Sequence, residues 1–141
     1  MKFRKENNTY IVRLEKGDEI VNSLTQFCEE NKIYSGLISG IGGTDDFVLK
    51  YYDLEKKEYI PKRFADGINY ELISLNGNIS KLDGKPMIHL HATLGDPEYK
   101  VIGGHLDSAV ISINGEICIN VLDEPLERKF DKDFKVNFWD V

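Results

Sequence analysis

Three histidines, His89, His91 and His105, are the only imidazoles in the chain, and all lie in one short stretch. Imidazole ligates divalent transition metals and exchanges protons near neutral pH, so their clustering is the first chemistry to weigh. His89 and His91 form a His-x-His pair within PMIHLHATL. In a strand, residues i and i+2 share a face and stand about 6.5 Å apart along the chain. That face carries His89, His91 and Thr93, while Ile88, Leu90, Ala92 and Leu94 form an apolar face suited to a core. His105 follows Gly103-Gly104, after a loop long enough to bring the next strand alongside. Three imidazoles around one divalent ion, with a fourth position open, is a common zinc arrangement. A His-x-His pair alone would look the same on a plain half-exposed strand; His105 behind Gly-Gly favours a shared site. Glu71 or Asp107 could orient a ring. Glu71 or Asp96 could carry a proton if an open metal position activates water or polarises a carbonyl.

Other chemistry is weakly supported. Gly40-Ile41-Gly42-Gly43 resembles a phosphate-binding glycine loop, but such a loop opens a helix, and here a β-rich stretch follows. A sharp turn or close backbone packing explains those glycines better. Gly84 to Gly103 matches the first cupin motif in part, without its glutamate, with one spacing short and with no second motif. No Gly-x-Ser-x-Gly elbow occurs, and Cys28 and Cys118 sit in apolar stretches that suit a core.

The elements that must position these residues are mainly strands. Thr9 to Leu14 is rich in β-formers and stops at Lys16-Gly17-Asp18. Asp18 is placed to cap a helix from Glu19 to Asn31, whose stripe is Ile20, Val21, Leu24, Phe27 and Cys28. Strands follow over Ser35 to Ile41, Phe47 to Asp53, Glu58 to Phe64, Asn69 to Ser80, Pro86 to Leu94 and Leu106 to Leu122. Pro61 suggests an edge strand, Asn76-Gly77 a bend or bulge, and Asn114-Gly115 either a hairpin turn or a bulge. The tail from Glu127 to Val141 carries Phe130, Phe134, Val136, Phe138 and Trp139, which dock on the core or on a neighbouring subunit. The expected fold is α+β: a twisted mixed, largely antiparallel sheet with one main helix packed on it, in a single domain spanning residues 1–141.

The chain has 141 residues, a formal net charge of −6 and a composition that is 41% hydrophobic and 30% charged. That suits one buried core, and an acidic surface disfavours a free-standing nucleic-acid binder. Lys56, Lys57, Lys62 and Arg63 are diluted by Glu55, Glu58 and Asp66, as on a solvated hairpin face. The N-terminus shows no apolar signal region and no run reaches membrane-span length, so a cytoplasmic protein is expected.

Six segments in order resemble the plant and prokaryote conserved (PPC) domain of the free-standing prokaryotic type: Gly17-Asp18-Glu19-Ile20, GLISGIGG, FVLKYYD, YELISLNGNIS, IHLHATLGD and GGHL. The resemblance runs from about Tyr10 to about Asp131. It implies a twisted, largely antiparallel sheet with helix packing, assembly as a homotrimer, and zinc held by His89, His91 and His105. In the plant proteins, minor-groove contact comes from a separate Arg-Gly-Arg-Pro segment, and the domain itself mediates protein–protein contacts. Only Gly84-Lys85-Pro86 faintly echoes that segment, so direct DNA binding is disfavoured. Three functions are therefore expected, in this order: a trimeric zinc-binding interaction or regulatory module, a metal-dependent enzyme acting on a small molecule, and a DNA-associated regulator.

Overall fold

Alternation of apolar and polar residues runs through most of the chain, and most of it forms strand. The computed structural model describes all 141 residues. In chain order the elements are β1 (Lys2–Glu6), β2 (Thr9–Glu15), α1 (Ile20–Asn31), β3 (Gly36–Asp53), β4 (Glu58–Phe64), β5 (Tyr70–Leu82), β6 (Lys85–Gly95), β7 (Val101–Val121), β8 (Arg128–Asp131) and β9 (Val136–Trp139). Strand accounts for 65% of residues and helix for 9%, which corrects the expected α+β class to a β-rich fold. The reason is physical: only one segment has a 3.6-residue apolar period, and a single helix of 12 residues cannot form a layer of its own.

Seven strands form one antiparallel sheet in the order β1-β2-β7-β6-β5-β3-β4, and β7 also pairs with β3. The pairings β3–β5, β5–β6, β6–β7 and β7–β3 therefore close a circuit. Two long strands make this closure. β3 runs unbroken through the glycines expected to end a strand, and β7 runs through Asn114-Gly115 as one strand rather than a hairpin. Register shifts near Gly42 and Thr44 mark where the pair coils. The glycines admit this coiling. A Cβ at Gly42 would stand 2.5 Å from the Asn114 carbonyl oxygen, so no larger residue fits the approach of the two backbones.

The helix backs the strands that carry the histidines. Glu19, rather than Asp18, caps α1: its carboxylate accepts from the amides of Val21 at 3.1 Å and Asn22 at 2.7 Å. The helix ends at Lys32 in the left-handed region, φ 54°. Its buried stripe of Ile20, Leu24, Phe27 and Cys28 packs toward β6 and β7 and joins one core of 23 residues. Leu90, Leu94, Leu106 and Ile111 meet it from the sheet. Truncating Phe27 there would cost about 3–5 kcal/mol. Burial pushes the Cys28 thiol up to about 12, so it packs as an inert apolar group. β4, with Pro61, lies at the sheet edge. β1, which the sequence did not suggest, forms the other edge as an exposed, charged strand.

Candidate metal centre

The period-2 pattern of β6 sends Leu90, Ala92 and Leu94 into the core and leaves His89, His91 and Thr93 on the opposite face. On one side β7 brings His105 directly opposite His91, with Gly104 opposite Ala92 and Gly103 opposite Thr93. On the other side β5 sets Asn78 opposite His89 and Asn76 opposite His91. Gly103 and Gly104 lie within strand β7, not in a turn; the chain reverses at Asp96–Lys100, where Asp96 accepts from the amides of Glu98 and Lys100.

Glycines set the spacing of the strands around the site. A Cβ at Gly77 would sit 2.0 Å from the His89 carbonyl oxygen, and one at Gly103 would sit 2.8 Å from that of Ala92. Both positions exclude side chains so that β5, β6 and β7 can close around the histidines.

The three imidazoles converge. Ring centroids are 5.2 Å apart for His89–His91, 4.9 Å for His89–His105 and 5.4 Å for His91–His105. One nitrogen from each ring lies within 4.8 Å of the other two. His89 Nε2 and His105 Nδ1 are buried with no hydrogen-bond partner. Leaving such groups unpaired costs about 1–3 kcal/mol each, so two orphaned nitrogens in one cluster call for a shared partner.

Burial and neighbouring positive charge keep two of the rings unprotonated. Burial, then the charge of Arg128 and the neighbouring His91, push the His89 imidazole down to about 4. Burial, then His89, His91 and Lys50, take His105 to about 4 against an opposing pull from Asp107. At neutral pH both rings are therefore neutral, the form that ligates metal. An all-nitrogen, three-imidazole donor set fits zinc and other imidazole-preferring ions, and His89, His91 and His105 would hold such an ion.

The surroundings differ from the sequence expectation. Glu71 and Asp96 line a separate cavity of about 760 Å³ with Ile73, Pro97 and Tyr99. Glu71 lies five positions from Asn76 on β5, about 16 Å at strand rise, so within one chain it does not face the imidazoles. Asp107 pairs with Lys50, whose strand position is opposite His105. The groups that do adjoin the rings come from β4 and the tail. The Tyr59 ring lies 4.8 Å from that of His105. Arg128 reaches in from the tail: Nη2 donates to Asn78 Oδ1 at 3.0 Å and stands 3.4 Å from His89 Nδ1. Trp139 Nε1 donates to the same Asn78 oxygen at 3.3 Å. The aromatic tail signalled docking, and an arginine opening that tail was the available clue.

This arrangement can be set beside known proteins. Residues 1–123 match the Plants and Prokaryotes Conserved (PCC) domain. The chain belongs to that family. Among solved structures, a metal-containing protein of Archaeoglobus fulgidus is 37% identical, with 99% of each chain covered and a TM-score of 0.85. A plant- and prokaryote-conserved (PPC) protein of Pyrococcus horikoshii is 34% identical over 99% of this chain and 94% of that one, with a TM-score of 0.86. A protein of Bacteroides thetaiotaomicron, named as a candidate DNA binder, is 34% identical over 99% of this chain and 96% of that one, with a TM-score of 0.94. The chain also shows 26% identity over 125 residues to the bifunctional protein GlmU of a Synechococcus strain, spanning 18% of that protein's length. The residues matched to the PCC family include all seven strands of the closed sheet and all three histidines.

Proposed function

We propose that this PCC-domain chain is a zinc-binding, self-associating module, trimeric as the family resemblance implies, that acts in the cytoplasm by interaction in a regulatory role. The observation that carries the reading is the convergence of three imidazole nitrogens within 4.8 Å, two of them on rings with a buried, unpartnered nitrogen. The metal-containing A. fulgidus relative supports the same reading. Zinc bound there with an open fourth position supplies Lewis acidity toward whatever ligand completes it.

Self-association is supported by the outer face of the sheet. Ile11, Ile41, Ile73 and Ile113 are exposed and line two adjoining cavities shared by β2, β3, β5 and β7. Apolar side chains grouped this way on a sheet face mark an interaction surface. A DNA-binding role is less favoured: the net charge is −6, and Arg63, in the one basic stretch, is held by Asp46 in two hydrogen bonds of 2.9 and 2.7 Å. No helix is long and apolar enough to cross a membrane.

Two measurements test the reading. Elemental analysis should find about one zinc per chain in protein purified without added metal, lost in H89A/H91A. Light scattering should give three chains per particle in the wild type and one in I73E. A folded wild type with no metal would overturn the zinc assignment, and a monomeric wild type the self-association. A metal-dependent enzyme is the second reading, favoured by a cleft of about 400 Å³ beside His89. Hydrolytic turnover that H89A/H91A abolishes would put it first.

A further inference from the structure

Arg128, at the start of β8, is half-buried and pairs with no carboxylate. Its partners are neutral: Nε donates to Ser80 Oγ at 2.6 Å, Nη1 to the Asn137 carbonyl at 2.7 Å and Nη2 to Asn78 Oδ1 at 3.0 Å. With only neutral partners, this half-buried guanidinium is a cation without a counter-charge. A guanidinium carries five N–H donors. One Nη1 hydrogen is uncommitted, and one Nη2 hydrogen has only the long 3.4 Å approach to His89 Nδ1. Nη1 and Nη2 together form the end of the fork that can engage a carboxylate in bidentate fashion.

The fork opens on a shallow cleft of about 400 Å³ lined by Asn78, His89, Arg128, Phe138 and Trp139. That volume lies within the range of small-molecule sites. Phe138 and Trp139 give it an apolar wall, which offers nothing to a fully hydrated inorganic anion but covers a carbon body. We infer that this cleft binds a small organic acid, its carboxylate on Arg128 and its apolar part against Phe138 and Trp139. The inference goes beyond the zinc reading and does not require it, because the guanidinium and the aromatic wall belong to the chain itself. A zinc ion on the histidines would add positive charge beside Arg128 and strengthen the demand for an anion.

Trp139 is the only tryptophan in the chain, so its emission reports on this cleft alone. The experiment titrates isovalerate, its uncharged counterpart isovaleramide, and inorganic phosphate into the protein as purified and after chelator treatment. Isovalerate should change Trp139 emission saturably in both preparations, isovaleramide should not, and phosphate should bind at least about tenfold more weakly. R128Q should weaken isovalerate by at least about tenfold, the factor expected for one lost charge-assisted hydrogen bond. R128K, which keeps the charge without the fork, should fall between. Absence of any saturable response to isovalerate overturns the inference, and so does isovaleramide binding equally well; both tests use the wild type and need no variant to fold. Phosphate binding as tightly as isovalerate overturns the organic-acid assignment. Binding seen only before chelation and unchanged in folded R128Q also overturns it, since the metal alone would then hold the anion.

Discussion

His91 on β6 and His105 on β7 are cross-strand partners in one antiparallel ladder, with ring centroids 5.4 Å apart. Their spacing is thus fixed by backbone hydrogen bonds rather than by side-chain freedom, and His89, two residues along the same face, closes the triangle. A site held this rigidly should bind metal with little ordering cost. Zinc at about 100 times its Kd stabilises a folded chain by about 2.7 kcal/mol. For a chain of this size that raises Tm on the order of 10 °C. Scanning calorimetry with and without chelator should show this difference in the wild type and lose it in H105A. An equal response in H105A would remove His105 from the ligand set.

Acid should act on the metal-free protein in a defined window. His89 and His105 are held at about 4, against an ordinary value of 6.5. Between those values the unfolded chain binds protons that the folded chain does not, so stability falls as pH drops from 6.5 toward 4 and no further from these two groups below it. Urea midpoints measured across that range should decline in the wild type and flatten in an H89N/H105N variant. The carboxylates of Asp18 and Asp46, lowered by hydrogen bonds and ion pairs, lose their contribution only below their own ordinary range. The same depression bears on zinc. Sequence alone predicts release below about pH 6.5, the free imidazole value; desolvated rings shift release to lower pH. A release midpoint at 6.5, measured with a chromogenic chelator, would contradict the depression.

Gly77 should be intolerant of alanine for a reason local to the site. The added Cβ would overlap the His89 carbonyl oxygen at 2.0 Å, and both groups are backbone or backbone-attached. The strands must part, with a cost of about 1–3 kcal/mol or more and a displaced His89. G77A should therefore lower both the urea midpoint and zinc occupancy. Gly84, at φ +80° with nothing within 4 Å of a built Cβ, is the control. G84A adds only backbone strain of about 1 kcal/mol and should leave zinc occupancy intact.

Much of the site was legible because a strand has an unambiguous period. Leu90, Ala92 and Leu94 against His89, His91 and Thr93 can only be two faces of one ribbon, and burial follows that division. The paths of β3 and β7 were not legible. Gly40, Gly42 and Gly43 look like punctuation in a sequence, whereas here they permit the close approach of two continuous strands, a contact between residues far apart in the chain. The same blindness hid Arg128. Its role depends on the β8–β9 hairpin docking beside Asn78, through Lys81–Glu127 at 2.9 Å and the Tyr52 hydroxyl donating to the Phe134 carbonyl. Local pattern showed aromatics that needed a surface, but no period says which surface.

The helix start offers the sharpest contrast between local pattern and tertiary contact. Asp18 satisfies the local rule for an N-cap, yet Glu19 takes the position, because its carboxylate also accepts from the Ala109 amide of β7 at 2.8 Å. Asp18 is turned instead to the Glu15 amide, from which it accepts at 2.8 Å. Removing the Glu19 side chain orphans three N–H groups, two at the helix end and one in the strand that carries His105. E19A should cost about 2–3 kcal/mol, more than an ordinary cap because a cross-element bond is lost as well. E19Q keeps an acceptor oxygen and should recover part of that loss. D18A should cost less than E19A, since it frees one amide, that of Glu15, where E19A frees three. Urea unfolding of the three variants checks the order, and a larger loss in D18A than in E19A would return the cap to Asp18.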